Sequence, residues 1–197
     1  MKTALLFTLL TFSSLSSAEV MPKSAAPDFT LKDMKGVEQK LSSFKGKWVV
    51  LEWFNKDCPF VLKHYRSNNM QNLQKNYTGK GVVWLTMYSS AKGTQGHEEG
   101  AGALKTQEAF KGSSSFLLDD SKGDIGRLYG AKTTPHMYII NPEQVVVYQG
   151  AIDSNSSFDP ADIPKATNYV SAALDAGMKG SAVAVAHVKP YGCAVKY

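Results

Sequence analysis

At 197 residues with 43% hydrophobic and 20% charged side chains, the chain can bury one ordinary core without staples, and no later stretch is long and apolar enough to read as a membrane span. Its net charge of +5 comes from scattered lysines, with Arg66 and Arg127 the two arginines, so no basic face interleaved with aromatics points to nucleic acid. Its two cysteines, Cys58 and Cys193, leave two readings open, a structural disulfide or a redox pair.

In chain order, residues 1–18 read as a secretory signal. Lys2 supplies the positive charge, Ala4 to Phe12 the apolar run, and Ser16 and Ala18 the small residues of a cleavage site. The apolar run is shorter than the roughly 20 residues needed to cross a bilayer. The expectation is an exported protein, periplasmic or secreted, with no membrane attachment after cleavage. Residues 19–27 form an extended lead. The stretch "DFTLKDMKGVEQKLSSF" alternates on either side of Lys35-Gly36, a hairpin signal. "KWVVLEWF", Lys47 to Phe54, suits a strand buried on both faces in a central parallel position.

The segment from Cys58 to Tyr77 predicts a helix, with Val61, Tyr65, Leu73 and Tyr77 on one face. Asn55 or Asp57 is placed to cap it, and Pro59 fits its first turn. "GVVWLTMYS" predicts a second strand, and "SAKGTQGHEEGAGA" a mobile loop leading to a helix over Leu104 to Phe110. "SFLLDD" follows as a strand and "GDIGRLYGA" as a short helix. "HMYIIN" and "QVVVYQG" form a hairpin around Pro142-Glu143. Residues 159–180 predict one closing helix, with Asp and Pro at its start and Gly at its end. Residues 181–197 are a tail carrying Cys193. Strands alternating with helices imply one α/β domain over residues 19–180, with a mixed sheet covered on both faces.

Cys58 follows a central strand, where reaction sites of open α/β sheets lie. It also opens a helix, where free N–H groups favour an anion and hence the reactive thiolate. Lys56, Lys63 and His64 would add positive charge, and Asp57 would oppose it. The strand-end position, Pro59 and the flanking charges argue against burial of this sulfur. A second local signal is Thr134-Pro135 opening a strand, a place that suits a residue without an N–H. Taken alone, it predicts an ordinary trans turn. His64, His97, His136 and His187 show no metal-ligand spacing and read as solvated or structural, so no metal and no cofactor are expected.

The segments "APDFTL", "GKWVVLEWFN", "DCPF" and "YGAKTTPHMYII", in this order, resemble the thioredoxin-like superfamily. More closely they resemble its peroxiredoxin-like redoxin branch, the alkyl hydroperoxide reductase/thiol-specific antioxidant type. The likeness runs from about Ala26 to Asp153, and "KPYGCAVKY" resembles the ends of some exported members. The resemblance implies a thioredoxin-like fold with an N-terminal hairpin and Cys58 as the attacking thiol. It makes Pro135 a cis-proline facing the site, with the Thr134 backbone pairing a substrate's extended chain. Trp53 and Phe54 would lead into the site.

There are departures. Val61 stands where thioredoxins carry a second cysteine. Asn55 replaces the usual peroxiredoxin threonine, and Thr134-Pro135 replaces the usual arginine region. Asn55, with Arg66 or Arg127, would then be left to contact a peroxide. With Val61 in place, Cys193 is the thiol within the chain that could resolve an oxidised Cys58, carried on a segment that Pro190 and Gly192 keep irregular. The implied site is Cys58 and Cys193, with Asn55, Pro59, Thr134 and Pro135 shaping the pocket. The implied reaction is thiol–disulfide exchange or peroxide reduction, with electrons from an external thiol reductant, thioredoxin-like or small. The competing reading is a non-catalytic binding protein on the same scaffold. There a permanent Cys58–Cys193 disulfide would close a loop of well over 100 residues, stabilising by up to about 5 kcal/mol.

Overall fold

The computed structural model describes residues 19–197; the expected leader lies outside the described residues. The apolar run "VVLEW" forms β3 (Val49–Trp53), every residue of which is buried. It lies parallel to β4 (Val83–Tyr88), which lies parallel to β5 (Phe116–Asp119). Preceding these, β1 (Thr30–Lys32) and β2 (Glu38–Lys40) form the predicted hairpin. The Asp33 carboxylate closes that hairpin by accepting from the amides of Lys35 at 2.9 Å and Val37 at 3.0 Å.

On the other side of β3, antiparallel to it, lies β7 (His136–Ile140), followed by β8 (Val146–Gly150) in the predicted hairpin. The sheet order is β5-β4-β3-β7-β8-β9, with β9 (His187–Val188) added in parallel from the tail. Two further strands, β6 (Thr133–Thr134) and β10 (Cys193–Ala194), pair antiparallel apart from this sheet. The result is a mixed α/β sheet of thioredoxin-like topology.

Alternation along β3 divides the core. Val50 faces one side with Phe54, Cys58, Val61, Tyr65, Leu73 and Tyr77. Val49, Leu51 and Trp53 face the other, with Phe29, Ile125 and Tyr129. Helices α1 (Pro59–Arg66), α2 (Asn69–Thr78) and α5 (Tyr169–Met178) cover the first face. The hairpin segment and α4 (Asp124–Tyr129) cover the second. Glu52, also on β3, is buried but fully engaged by Tyr65 at 2.8 Å, Gln74 at 3.0 Å and Trp84 at 2.7 Å. Desolvation holds its carboxyl above the ordinary carboxylate range.

Three boundaries differ from the sequence expectation. The helix expected from Cys58 to Tyr77 is two, because Asn68 takes a left-handed conformation at φ 60. Asparagine tolerates that region, and no periodicity argument registers a single such residue. The closing helix is likewise divided. A 3-10 turn over Pro160–Lys165 ends in extended Ala166, and α5 begins only where Asn168 caps it by accepting from Ser171 at 2.9 Å. Finally, α3 (Gly100–Ala109) starts earlier than Leu104.

Candidate active site

Cys58 occupies the N-cap of α1, with Pro59 exposed at the first helical position. Its carbonyl accepts from Val61 at 3.0 Å and Leu62 at 2.9 Å, so the helix start is sound. Its side chain makes no capping bond to the first-turn amides. Instead Sγ donates to the carbonyl oxygen of Thr134 at 2.9 Å and lies 2.8 Å from Sγ of Cys193. Cys58 is 0% exposed, against the expectation of an accessible sulfur. It packs in the core with Phe54 and Val61, and the tail caps it: β10 lays Cys193 opposite Thr134 and Ala194 opposite Thr133. The Thr134-Pro135 bond is cis. The local prediction of a trans turn is therefore wrong, and the bond is the one the family resemblance implies.

Other site residues are used differently from expectation. Both polar atoms of Asn55 are engaged, Nδ2 donating to Gln95 O at 3.1 Å and Oδ1 accepting from Asp57 N at 2.8 Å. Its amide pins a loop. Arg66 is exposed at the end of α1, and Arg127 lies over the Tyr197 ring at 4.7 Å. Phe54 packs with Cys58 on one face of the sheet, whereas Trp53 faces the opposite side and donates to Ser89 at 3.1 Å. Lys56 pairs with Asp57 at the surface at 2.9 Å.

Lys63 and His64 do not serve as positive charges for the sulfur. Both are buried and face Asp153 and Tyr191. Lys63 Nζ is 3.2 Å from Asp153 and 2.6 Å from the Asn155 carbonyl. The Tyr191 hydroxyl donates to Asp153, 3.2 Å from His64 Nε2. Burial pulls the His64 imidazole down to about 4; the carboxylate of Asp153 resists and the charge of Lys63 adds to the fall. His64 is thus neutral at neutral pH. His136 is also buried, bonded to Gln149 at 2.8 Å and held down to about 4, again mainly by burial. The Cys193 thiol is pushed up to about 12, first by burial, then by the hydrogen bond and charge of Cys58.

Sequence reasoning missed Asp153, Tyr191 and Tyr197. They sit far along the chain from the residues they meet, and the aromatic spacing in "PYGCAVKY" was the one signal available. Among the described residues, no group of three or more His, Cys, Asp or Glu side chains converges as a metal site.

The model of the AhpC/TSA family matches residues 22–149. The chain belongs to the AhpC/TSA family. In this AhpC/TSA chain the match includes Cys58, Thr134 and Pro135, while Asp153, Tyr191 and Cys193 lie beyond it. The thioredoxin-like protein YneN of Bacillus subtilis is 29% identical over 124 residues, 61% of this chain and 66% of that protein, just under two thirds of its length. An uncharacterised conserved protein from Geobacillus kaustophilus superposes with a TM-score of 0.76 at 25% identity, covering 95% of this chain and 98% of that one. A protein from Chlorobium tepidum, described as a putative thiol:disulfide interchange protein DsbE, gives a TM-score of 0.53 at 26% identity over 66% and 85% of the two chains. The AhpC/TSA chain is therefore a thioredoxin-like redoxin.

Proposed function

We propose that the protein is an exported thiol-based oxidoreductase in which Cys58 is the nucleophile and Cys193 its resolving thiol. The observation that carries this reading is the pairing of the tail with Thr134, which holds the two sulfurs 2.8 Å apart. Forming a disulfide of about 2.05 Å from there needs a shift of less than an ångström. The Cys58 thiolate attacks a substrate disulfide; one sulfur bonds to Cys58 and the other leaves as a thiolate. Cys193 then attacks the Cys58 sulfur, its proton passes to the departing second substrate sulfur, which leaves as a thiol, and the Cys58–Cys193 disulfide remains. An external dithiol, thioredoxin-like or small, reduces it and takes the disulfide away.

Tying up the Cys58 sulfur removes its charge and hydrogen bond from Cys193, two of the causes that keep that thiol protonated. Disulfide exchange is favoured over peroxide reduction because an extended chain already pairs with Thr134, the arrangement a peptide substrate needs. Export rests on the leader pattern of residues 1–18.

The test is rapid mixing of the reduced protein with a mixed-disulfide substrate, quenching and mass mapping. A transient adduct on Cys58 followed by a Cys58–Cys193 disulfide is expected, and Cys193→Ser should arrest the reaction at the adduct. An adduct on Cys193 alone would reverse the assigned roles.

A further inference from the structure

Turnover requires the tail to leave. Cys58 is covered, and the tail covers it without burying itself, since none of residues 181–197 is buried. A cavity of about 330 Å³ lies against Val188–Tyr191, so the segment is held to the body chiefly by the β9 pairing and the Tyr191 side chain. What it uncovers is shaped and charged: the buried Lys63, His64 and Asp153, and the backbone edge of Thr133–Thr134. A buried lysine and carboxylate are costly to desolvate unless further hydrogen bonds complete them. The Tyr191 hydroxyl is such a bond.

We infer that this groove recognises an extended cysteine peptide of a partner protein with the pattern Tyr-Gly-Cys, the cysteine entering against Cys58. The inference rests on Cys58 being the attacking thiol, and the chain's own tail is the template.

The tyrosine two residues before the cysteine reaches Asp153, His64 and Lys63, its ring 5.4 Å from Lys63 Nζ and 5.9 Å from the Phe60 ring. Phenylalanine would fill the space but leave those polar groups without the phenol. The glycine at the next position is demanded by the backbone. Gly192 has φ +144, and a Cβ there would lie 2.1 Å from the Thr134 carbonyl oxygen. Beyond the cysteine, Val195 N donates to Lys132 O at 3.1 Å, continuing the strand pairing. Tyr197 donates to Ala131 O at 2.7 Å and lies so close over Gly126 that a Cβ there would be 2.3 Å from its hydroxyl oxygen. Tyrosine at this position adds affinity, and Tyr-Gly sets the selectivity.

The test uses the chain carrying Cys193→Ser and Tyr191→Ala, which cannot resolve an adduct and leaves the phenol subsite open. The probe is the nonapeptide Lys-Pro-Tyr-Gly-Cys-Ala-Val-Lys-Tyr with its sulfur joined to thionitrobenzoate. The Cys58 thiolate attacks the peptide sulfur, the Cys58–peptide disulfide forms, and coloured thionitrobenzoate leaves with the electron pair. Replacing the peptide's first tyrosine by Phe is expected to slow transfer about tenfold and by Ala further, since a buried polar site loses its partner. Replacing its glycine by Ala is expected to slow transfer at least about tenfold through the backbone clash. Should the double variant not fold, Cys193→Ser alone is expected to give the same order at lower rates, the tail competing.

Equal rates for all peptides, with retained reaction toward the symmetric bis-thionitrobenzoate disulfide, would overturn the recognition pattern and leave the proposed chemistry standing. No reaction with any of these disulfides would overturn both.

Discussion

His64 shows most clearly how one residue's chemistry depends on its neighbours. As sequence, "KH" beside the cysteine reads as positive charge for a thiolate. In the fold its ring is buried between Asn69, 2.8 Å from Nδ1, and Tyr191, 3.2 Å from Nε2, with Lys63 and Asp153 alongside. The imidazole falls to about 4 from an ordinary 6.5 because burial penalises the cation. The fold therefore holds the neutral ring. The stability it contributes is full above pH 6.5 and is lost as pH falls toward 4, about 3 kcal/mol in all.

Glu52 and Asp120 run the other way, since desolvation raises both carboxyls. Their contribution is full below the ordinary carboxylate range and fades as pH rises. The contribution of His64 is thus isolated by the difference between wild type and His64→Gln, which should narrow as pH falls from 6.5 to 4. An NMR titration of the His64 ring should give a midpoint near 4 in the intact protein. A midpoint near 6.5 would mean that the ring meets water and that Tyr191 does not cover it.

At the scale of elements, the strands and hairpins were legible because their signals are local. Apolar runs mark β3 and β4, and Lys35-Gly36 marks the first turn. The helix breaks were not legible: each depends on one residue's conformation, Asn68 at positive φ or extended Ala166 before an Asn cap. The tail strands were hidden for a different reason. A strand of two residues, such as β9 or β10, carries no periodicity, and only its partner defines it.

Gly150 shows what fixes β9. It has φ +135, and a Cβ would lie 1.8 Å from the Val188 carbonyl oxygen. Gly150→Ala should detach β9 from β8 and loosen the tail while leaving β3, β4 and β7 intact. The check is the alkylation rate of Cys58 in the reduced protein, expected to rise severalfold with unchanged circular dichroism. An unchanged rate would show that β9 does not help hold the tail closed.

For the whole molecule, the family and fold could be read from "DCPF" and "TTPHMYII", because in this fold those two loops meet at the ends of adjacent strands. Two residues singled out on local grounds are brought together by the fold: Cys58, from its strand-to-helix position, and Cys193, from the cysteine that Val61 displaces. What could not be read was closure. Cys58 is capped by a residue 135 positions away, and the Lys63–Asp153 pair spans 90 residues. No local pattern encodes such contacts. The same closure makes one molecule compatible with two lives, a cycling redox enzyme or a scaffold locked by a permanent crosslink, and a single equilibrium quantity separates them. The reduction potential of the Cys58–Cys193 pair, measured against a graded thiol buffer with the crosslink quantified by mass, should lie well above about −300 mV if the disulfide turns over. A value below about −300 mV, in the range of structural disulfides, would contradict the account.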